Sequence, residues 1–341
     1  MADLSVPKVK VTEIHQVAVC VNDLQTVAEN YWNILGIGPW RIFSWDDSIV
    51  HTRKYHGKPT AAREKIALTR LGDVIFELVQ PVEGDSIYQD WLVEHGQGLH
   101  HMNFLVDDLD KTVEILAKEG FPPIQSGRFG PPEDKTGYNY VDIEPLRAIW
   151  EPVQLGKGIQ AEPVLYPDTE QTSPSKVKVS EFSQIGLVVK DVQTVAENYW
   201  NILGIGPWEV YSWEDPIVYD RKYHGRPTKS REKIAKAKAQ IGEIELVLIQ
   251  PVEGDSIYQD FLTEHGEGLH HLEFLVDNVD EAAEILAKEG FPSLQSERVG
   301  SPENNAAYNY IDIKPLHAIW KLSSLAKDKS LKDFGIEPTY L

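Results

Sequence analysis

Short stretches of alternating apolar and polar residues along the chain are each followed by a helical pattern. Val17, Val19 and Val21 occupy alternate positions, as expected of a strand with one buried face. Apolar residues then recur at helical spacing after Asp23, a residue type that caps helices. Further strand-like stretches precede the next helical pattern. The predicted order is therefore one strand, one helix and then several strands.

The same order recurs within the first half of the chain. A strand is predicted to begin at His101, a helix begins after Asp108 or Asp110, and Gly120 stands just past the helix end. The other predicted strands of this half cover residues 41–45, 50–55, 73–80, 138–143 and 148–153. Two or three antiparallel strands after each helix are typical of an α+β fold rather than a doubly wound parallel sheet.

An internal duplication divides the chain. The sequence QTVAENYWNILGIGPW occurs at residues 25–40 and 193–208, QPVEGDSIYQD at 80–90 and 250–260, and EILAKEGFP at 114–122 and 284–292. Equivalent positions lie 168 residues apart early in the repeat and 170 residues apart later. We therefore predict one unit at 9–155 (modules 9–90 and 95–155), a linker at 156–176, a second unit at 177–325 and a tail at 326–341.

Composition and charge narrow the class of protein. The 341 residues include 53 acidic and 33 basic side chains, which give a formal net charge of −20. A field of this sign repels nucleic acid and anionic membranes, so neither is expected as a partner. The single cysteine, Cys20, cannot form an internal disulfide, which favours a reducing compartment. Without a signal-like segment or a long apolar stretch, we expect a cytoplasmic protein.

Five motifs in this order resemble the vicinal oxygen chelate superfamily: HQVAVCVNDL, LGIGPW, FELVQP, GLHHMNFLVDDLD and AIWEPV. Its members include glyoxalase I, methylmalonyl-CoA epimerase, extradiol dioxygenases and bleomycin-resistance proteins. The resemblance implies four βαβββ modules that form two cup-shaped mixed sheets, with a metal ion held on the floor of a cup by the first and last strand of each module. The connection GDSIYQDWLVEHGQGLHH looks like that of the epimerase branch.

The resemblance implies four metal ligands in the first unit: Gln16, Glu77, His101 and Glu151. The family's first-strand ligand stands seven residues before the aspartate that opens the helix, which selects Gln16 rather than His15. Two carboxylates, one imidazole and one amide oxygen suit a single divalent ion of zinc, cobalt, nickel or manganese. The same residue types in the same order are those of zinc-dependent glyoxalase I, whereas the epimerase pattern has His first and Gln second.

The second unit lacks this set. The equivalent residues are Gln184, Val247, His271 and Lys321, so both carboxylates are replaced and a lysine stands where a cation would bind. Glu245 could retain some negative charge on the same face. We expect the second cup to be free of metal and to act as a structural partner or as a second small-molecule pocket.

The metal site predicts proton abstraction next to a carbonyl or thioester, as in an epimerase or isomerase. Glu151 is the favoured base and Glu77 the alternative. A glyoxalase-type lyase is the next hypothesis, followed by a ring-cleaving dioxygenase and a non-enzymatic small-molecule-binding protein. The expected partner is a small carbonyl or acyl-thioester substrate, with a homodimer as an open alternative. His100 is expected to take no part in the chemistry.

Substrate contacts are harder to assign from the sequence. The basic stretch HTRKYHGK at residues 51–58 includes Arg53 and His56 and could bind a carboxylate or phosphates at the rim of the cup. The alternative is a solvated strand and loop, and a similar stretch in the second unit weakens a catalytic interpretation. Tyr140 is a further candidate for the cup lining, although buried tyrosines more often serve only packing.

Overall fold

The computed structural model describes residues 6–341 except 12, 131–134, 157–161, 169–173, 215, 238–243, 302, 303 and 325–330. The chain forms two compact units. One comprises residues 1–33, 37–173 and 201–205, and the other comprises residues 34–36, 174–200 and 206–341. Within the described residues, every helix is too short or too polar to cross a membrane.

The first unit contains three helices and a single sheet. Its helices are α1 (Leu24–Leu35), α2 (Ile87–Glu94) and α3 (Leu109–Lys118). Its strands are β1 (Gln16–Cys20), β2 (Trp40–Trp45), β3 (Val50–Tyr55), β4 (Lys58–Pro59), β5 (Arg63–Leu71), β6 (Val74–Glu83), β7 (Gly98–Leu105), β8 (Gln125–Phe129), β9 (Gly137–Ile143), β10 (Ala148–Gln154) and β11 (Val164–Tyr166).

The sheet of the first unit curls into a cup. Its strand order is β11-β2-β5-β6-β1-β7-β10-β9-β8-β3-β4, with β1 parallel to β6, β7 parallel to β10 and β1 antiparallel to β7. The strands β3 and β5 stand near opposite ends of this order. Nevertheless Arg53 on β3 lies 3.2 Å from Glu64 on β5. The sheet must therefore curve back on itself, and the first and last strands of both modules form its centre.

The second unit repeats this arrangement. Its helices are α4 (Val192–Leu203), α5 (Ile257–Glu264) and α6 (Val279–Lys288). Its strands are β12 (Glu181–Val188), β13 (Glu209–Trp213), β14 (Val218–Tyr223), β15 (Arg226–Pro227), β16 (Arg231–Ala237), β17 (Glu245–Glu253), β18 (Gly268–Leu275), β19 (Ser293–Ser301), β20 (Asn304–Ile313), β21 (Ala318–Ser323) and β22 (Thr339–Tyr340). The order is β15-β14-β19-β20-β21-β18-β12-β17-β16-β13-β22.

Strand alternation separates an apolar outer face from a partly polar inner face. On β6, Phe76 faces α1 and packs edge-on against Tyr31 with ring centroids 5.1 Å apart. The next residue, Glu77, points into the cup, as the period of two requires. The inner face also carries an apolar cluster that includes Tyr88 of α2 and Tyr140 of β9. The outer face therefore supplies ordinary core packing, and the polar residues of the inner face are set apart from it.

The helix starts follow local capping. The Asp108 side chain accepts a hydrogen bond of 3.0 Å from the Lys111 N–H at the start of α3, and Asp23 accepts one of 3.2 Å from the Thr26 N–H at the start of α1. These contacts satisfy backbone donors that the first helical turn leaves unpaired. Gly120, with φ +99°, follows the end of α3.

The predicted α+β class with two cup-shaped mixed sheets is confirmed. The sequence pattern missed β5 and β8, because both carry polar residues on one face and small or charged residues among the buried ones. It also missed β11 and β22, short edge strands in the segments interpreted as linker and tail, which pair with β2 and β13. Residues 157–161, 169–173 and 326–330 of those segments lie outside the described residues.

Candidate active site

The register of the sheet places the four predicted ligands on one inner face. Ala18 on β1 is paired with Glu77 of β6 and with His101 of β7. Asn103, two residues after His101, is paired with Gln16 and with Glu151 of β10. Because side chains two residues apart in a strand point to the same face, all four predicted ligands point into the cup.

These four side chains also contact one another. The Gln16 amide donates from Nε2 to a carboxylate oxygen of Glu77, and the same nitrogen lies 3.5 Å from His101 Nε2. His101 Nε2 is in turn 3.5 Å from Glu151 Oε2. All four residues are 7% exposed or less. The structure thus brings together every residue that the sequence predicted as a ligand.

The described residues contain no group of three or more His, Cys, Asp and Glu side chains already spaced to hold a metal ion. In the first cup the amide nitrogen of Gln16, rather than its oxygen, faces Glu77. A half-turn of that amide would direct an acceptor inward, because the two ends of the amide have the same shape. The set would therefore need a small side-chain adjustment to coordinate an ion.

The charges of the cup fit a divalent cation. Oxygen Oε1 of Glu77 is buried and has no hydrogen-bond partner in the part of the chain that the structure describes. Burial and the nearby charge of Glu151 raise the pKa of the Glu77 carboxyl well above its usual range. Among the described residues, neither Glu77 nor Glu151 is ion-paired with a lysine or arginine. Two carboxylates, an imidazole and an amide are suitable ligands for such an ion.

Two neighbours that the sequence analysis did not assign hold these ligands in place. Asn103 donates from Nδ2 to Glu151 Oε2 at 3.0 Å. His100 Nδ1 lies 2.8 Å from His101 Nδ1, so one of the two nitrogens donates to the other. This leaves Nε2 of His101 directed at Glu151 and Gln16, an orienting role common around metal ligands. The expectation that His100 takes no part in the chemistry stays a prediction, and the structure adds that His100 contacts a predicted ligand.

The aromatic wall of the cup lies against the ligands. Tyr140 contacts the His101 ring edge-on with centroids 4.9 Å apart, and its hydroxyl is 2.5 Å from that of Tyr88. Burial raises the pKa of both hydroxyls, so they are neutral donors. Tyr88 reaches the cup from α2, whose first turn is capped by Ser86. Tyr140 was predicted at the site, whereas Tyr88 was missed.

The two predicted substrate residues of the basic stretch, Arg53 and His56, lie in different environments. Arg53 is 4% exposed and paired with Glu64 inside the cup. His56 is exposed in the turn between β3 and β4, with φ +46°. Its described contacts, which include the neighbouring Tyr55 ring, do not involve the four ligands. The structure therefore brings Arg53 but not His56 into the cup, because an irregularity of β3 at Thr52 (φ +55°) places both Val50 and Arg53 on its buried side.

The second cup has a different charge pattern on the same positions. Lys321 Nζ lies 2.5 Å from Glu273 and donates to the Gln184 amide oxygen at 3.1 Å. Lys236 Nζ lies 3.3 Å from Glu245. The two carboxylates near these positions, Glu245 and Glu273, are each paired with a lysine. Their negative charge is therefore compensated by the chain itself.

His271 also takes a different place from His101. A Cβ atom added at Gly186 would lie 2.1 Å from Cε1 of His271, so the ring occupies the space above this glycine. The equivalent residue in the first unit is Ala18, whose methyl group fills that space. The imidazole of the second cup thus lies over β12, and its pKa is lowered by burial, by His270 and by Lys321.

Comparison with known proteins identifies the family. The model of the Glyoxalase/Bleomycin resistance protein/Dioxygenase superfamily matches residues 15–140 and 183–308. The two matches correspond to the two copies of the duplication and contain the inner-face residues up to β9 and β20. The chain belongs to this superfamily. The resemblance to the vicinal oxygen chelate proteins and the internal duplication are thereby confirmed.

Relatives of this superfamily protein are distant. An uncharacterized protein of Bacillus subtilis (strain 168), YqjC, is 27% identical over 109 residues, which are 32% of this chain and 66% of YqjC. A variant of 4-hydroxymandelate synthase from Streptomyces coelicolor has a TM-score of 0.58 at 15% identity and covers 92% of each chain. A xylose isomerase-like TIM barrel/4-hydroxyphenylpyruvate dioxygenase fusion protein has a TM-score of 0.51 at 12% identity and covers 93% of this chain and 49% of that one. These structures share the fold.

Proposed function

We propose that this superfamily protein is a metal-dependent enzyme that removes a proton from the carbon next to a carbonyl or thioester. The observation that carries the proposal is that buried carboxylates are paired with lysines in the second cup but not in the first. Glu77 and Glu151 are buried together without a lysine or arginine partner among the described residues, whereas Glu245 and Glu273 of the second cup are paired with Lys236 and Lys321.

Burial of an uncompensated carboxylate is unfavourable by several kcal/mol, and two in one place are worse. The second cup avoids this penalty with Lys321, at the position of Glu151, and Lys236, at the position of Leu68. A divalent ion would provide the equivalent compensation in the first cup, held by Gln16, Glu77, His101 and Glu151. Zinc, cobalt, nickel or manganese match this mixture of oxygen and nitrogen donors. We propose that the second cup binds none.

The residues around the ion supply the rest of the reaction. A divalent ion bound there polarises a substrate carbonyl and makes the adjacent C–H more acidic. Glu151 then accepts the proton, and Asn103 and His101 hold its carboxylate in position. The Tyr140 hydroxyl, which accepts a hydrogen bond from Tyr88, can donate to a substrate oxygen. Return of the proton on the opposite face of the carbon gives epimerisation, and Glu77 is the carboxylate available for that step.

A glyoxalase-type lyase is the second candidate, favoured by the four ligand types and their order. It differs from the first in the substrate, a hemithioacetal, rather than in the proton-abstraction step. A ring-cleaving dioxygenase fits less well, because the resemblance assigns it two histidines and one carboxylate and Gln16 stands where one histidine is needed. The similarity to oxygenase structures at 15% and 12% identity supports only the fold.

Metal analysis and solvent-deuterium exchange test the proposal. Purified protein reconstituted with zinc, cobalt, nickel or manganese should retain a single divalent ion per chain. Screened over acyl-CoA esters and hemithioacetals, the holoenzyme should exchange one substrate C–H with deuterium. Glu151→Gln should retain the ion, through its amide oxygen, and lose exchange. The control Glu245→Gln alters a carboxylate of the second cup and should leave both unchanged. Failure to retain any ion, or exchange by Glu151→Gln at the wild-type rate, would refute the assignment.

A further inference from the structure

In the second unit, Arg221 is buried between two carboxylates. Its Nη1 lies 3.1 Å from Glu232, and its Nε lies 3.2 Å from Glu297 Oε2. The other oxygen of Glu297 accepts a hydrogen bond of 3.0 Å from the indole Nε1 of Trp213. Arg221, Glu297 and Trp213 are all 6% exposed or less. One carboxylate inside the cup is thus ion-paired with the Arg221 guanidinium and hydrogen-bonded by the Trp213 indole.

The first unit has the same donors without that carboxylate. Trp45, Arg53 and Glu64 are equivalent to Trp213, Arg221 and Glu232, but Gly127 stands at the position of Glu297. Arg53 Nη2 lies 3.2 Å from Glu64. Its Nε and Nη1, and Nε1 of Trp45, are buried and have no hydrogen-bond partner among the described residues.

The register confirms that the two places are equivalent. Gly127 on β8 is paired with Tyr138 of β9, as Glu297 on β19 is paired with Tyr308 of β20. A Cβ at Gly127 would lie 2.7 Å from a ring carbon and 2.8 Å from the hydroxyl of Tyr138. The Tyr138 ring therefore covers the glycine. Unpaired buried donors are unfavourable, so their retention calls for a partner.

These donors are connected to the candidate active site. Burial raises the pKa of the Tyr138 hydroxyl, Glu64 and Glu151 raise it further, and Arg53 lowers it. Tyr138 is thus within electrostatic reach of both the Arg53–Glu64 pair and the proposed base. Its ring lies 5.5 Å from that of Tyr140, which contacts His101. A continuous aromatic wall leads from the unpaired donors to the predicted ligands.

We propose that a carboxylate of the substrate binds in the first unit where the Glu297 carboxylate lies in the second, ion-paired with Arg53 and hydrogen-bonded to Trp45 Nε1. The substrate is then an acid that carries this carboxylate in addition to its reacting carbonyl or thioester. A carboxylate is preferred to a phosphate because the same pair of donors already holds a carboxylate in the second unit. The identity of the ligand as substrate rests on the proposed function, whereas the anion site itself does not.

Titration of metal-free protein with butyrate tests the site. The protein is first freed of metal by chelation and dialysis, so that no cation at the predicted ligands competes for butyrate. The Trp45 indole N–H signal, identified as the one absent from the NMR spectrum of isotope-labelled Trp45→Phe, should shift with butyrate and not with butyramide. By calorimetry, Arg53→Lys keeps the charge beside Glu64 but should weaken butyrate binding about 10-fold or more. Trp213→Phe is the matched control and should bind butyrate as the wild type does.

Two NMR results would overturn the proposal: no shift of the Trp45 signal at butyrate concentrations up to the solubility limit, or an equal shift with butyramide. Two calorimetric results would also overturn it: equal affinity of the protein for inorganic phosphate and butyrate, or undiminished butyrate binding by Arg53→Lys. The Arg53→Lys measurement needs no signal assignment, so it decides the matter even where Trp45→Phe does not fold. Because the titration uses metal-free protein, a chain that binds butyrate but no divalent ion would refute only the proposed function. A chain that exchanges deuterium but ignores butyrate would refute only the carboxylate site.

Discussion

Glu77→Gln should change stability in opposite directions with and without metal. Without metal, the substitution removes one of two buried carboxylates that lack a lysine or arginine partner among the described residues, and it keeps a side chain of the same size. Gln16 can still donate to the new amide oxygen, as it donates to Glu77. The metal-free variant should therefore be more stable than the metal-free wild type. With metal, the variant lacks one charged ligand, so the ion should stabilise it far less than it stabilises the wild type.

The size of the effect follows from burial. An unsatisfied buried oxygen such as Glu77 Oε1 costs about 1–3 kcal/mol, more when charged. The raised pKa of Glu77 limits the penalty, because a protonated carboxyl avoids the charge. A gain of about 2 kcal/mol corresponds to a Tm increase of about 4–8 °C for a unit of this size. An ion at one hundred times its Kd would stabilise the wild type by about 2.7 kcal/mol.

The Tm of the wild type and of Glu77→Gln, measured in chelator and in excess divalent ion, tests this change in the order of stability. The matched control is Glu273→Gln, which removes a buried carboxylate paired with Lys321. Breaking a buried pair costs about 3–5 kcal/mol, so this control should lower the Tm in both conditions. A Glu77→Gln variant that is less stable than the wild type in chelator would refute the reasoning, as would a wild-type Tm that is unaffected by metal.

Two further predictions concern groups outside the predicted ligand set. Lys321→Met leaves Glu273 buried without its cation, so it should lower the free energy of unfolding, measured with urea, by about 3–5 kcal/mol. The double variant with Glu273→Leu should recover most of that loss. Equal stability of the single variant and the wild type would contradict this prediction. Burial and the nearby charge of Glu77 raise the pKa of the Cys20 thiol. Native protein at pH about 8 should therefore not react with a thiol reagent, whereas urea-unfolded protein should react once per chain. Rapid reaction of the native protein would contradict this prediction and show that strand β1 opens.

The sequence was sufficient to predict that Gln16, Glu77, His101 and Glu151 lie together, because two constraints coincide there. Strand alternation decides which residues share a face, and the superfamily pattern decides which of them lie at the centre of the sheet. Gln16 rather than His15 follows from that combination. The same logic could have found Asn103, since it stands two residues after His101 and therefore shares its face. Its role becomes visible only when β10 brings Glu151 beside it.

Other features depend on the curvature of the sheet and were beyond a linear pattern. Arg53 and Glu64 lie on strands that stand far apart in the sheet order, so their contact exists only because the sheet curls. The charge of Arg53 suggested an exposed or rim position, yet the side chain is buried. The short strands β11 and β22 form through backbone pairing with β2 and β13, which leaves little trace in hydropathy.

The repeated helix QTVAENYWNILGIGPW covers the outside of both cups with identical side chains, while the two inner faces carry different charges. The layer that stabilises each unit and the layer that determines its chemistry are thus separate surfaces of one sheet. Inner-face residues could diverge after duplication without disturbing the packing beneath the helices. The inner face of the first unit can accordingly be built into the second by exchanging inner-face residues alone, namely Lys236, Glu245, Val247, Glu273 and Lys321, for their counterparts.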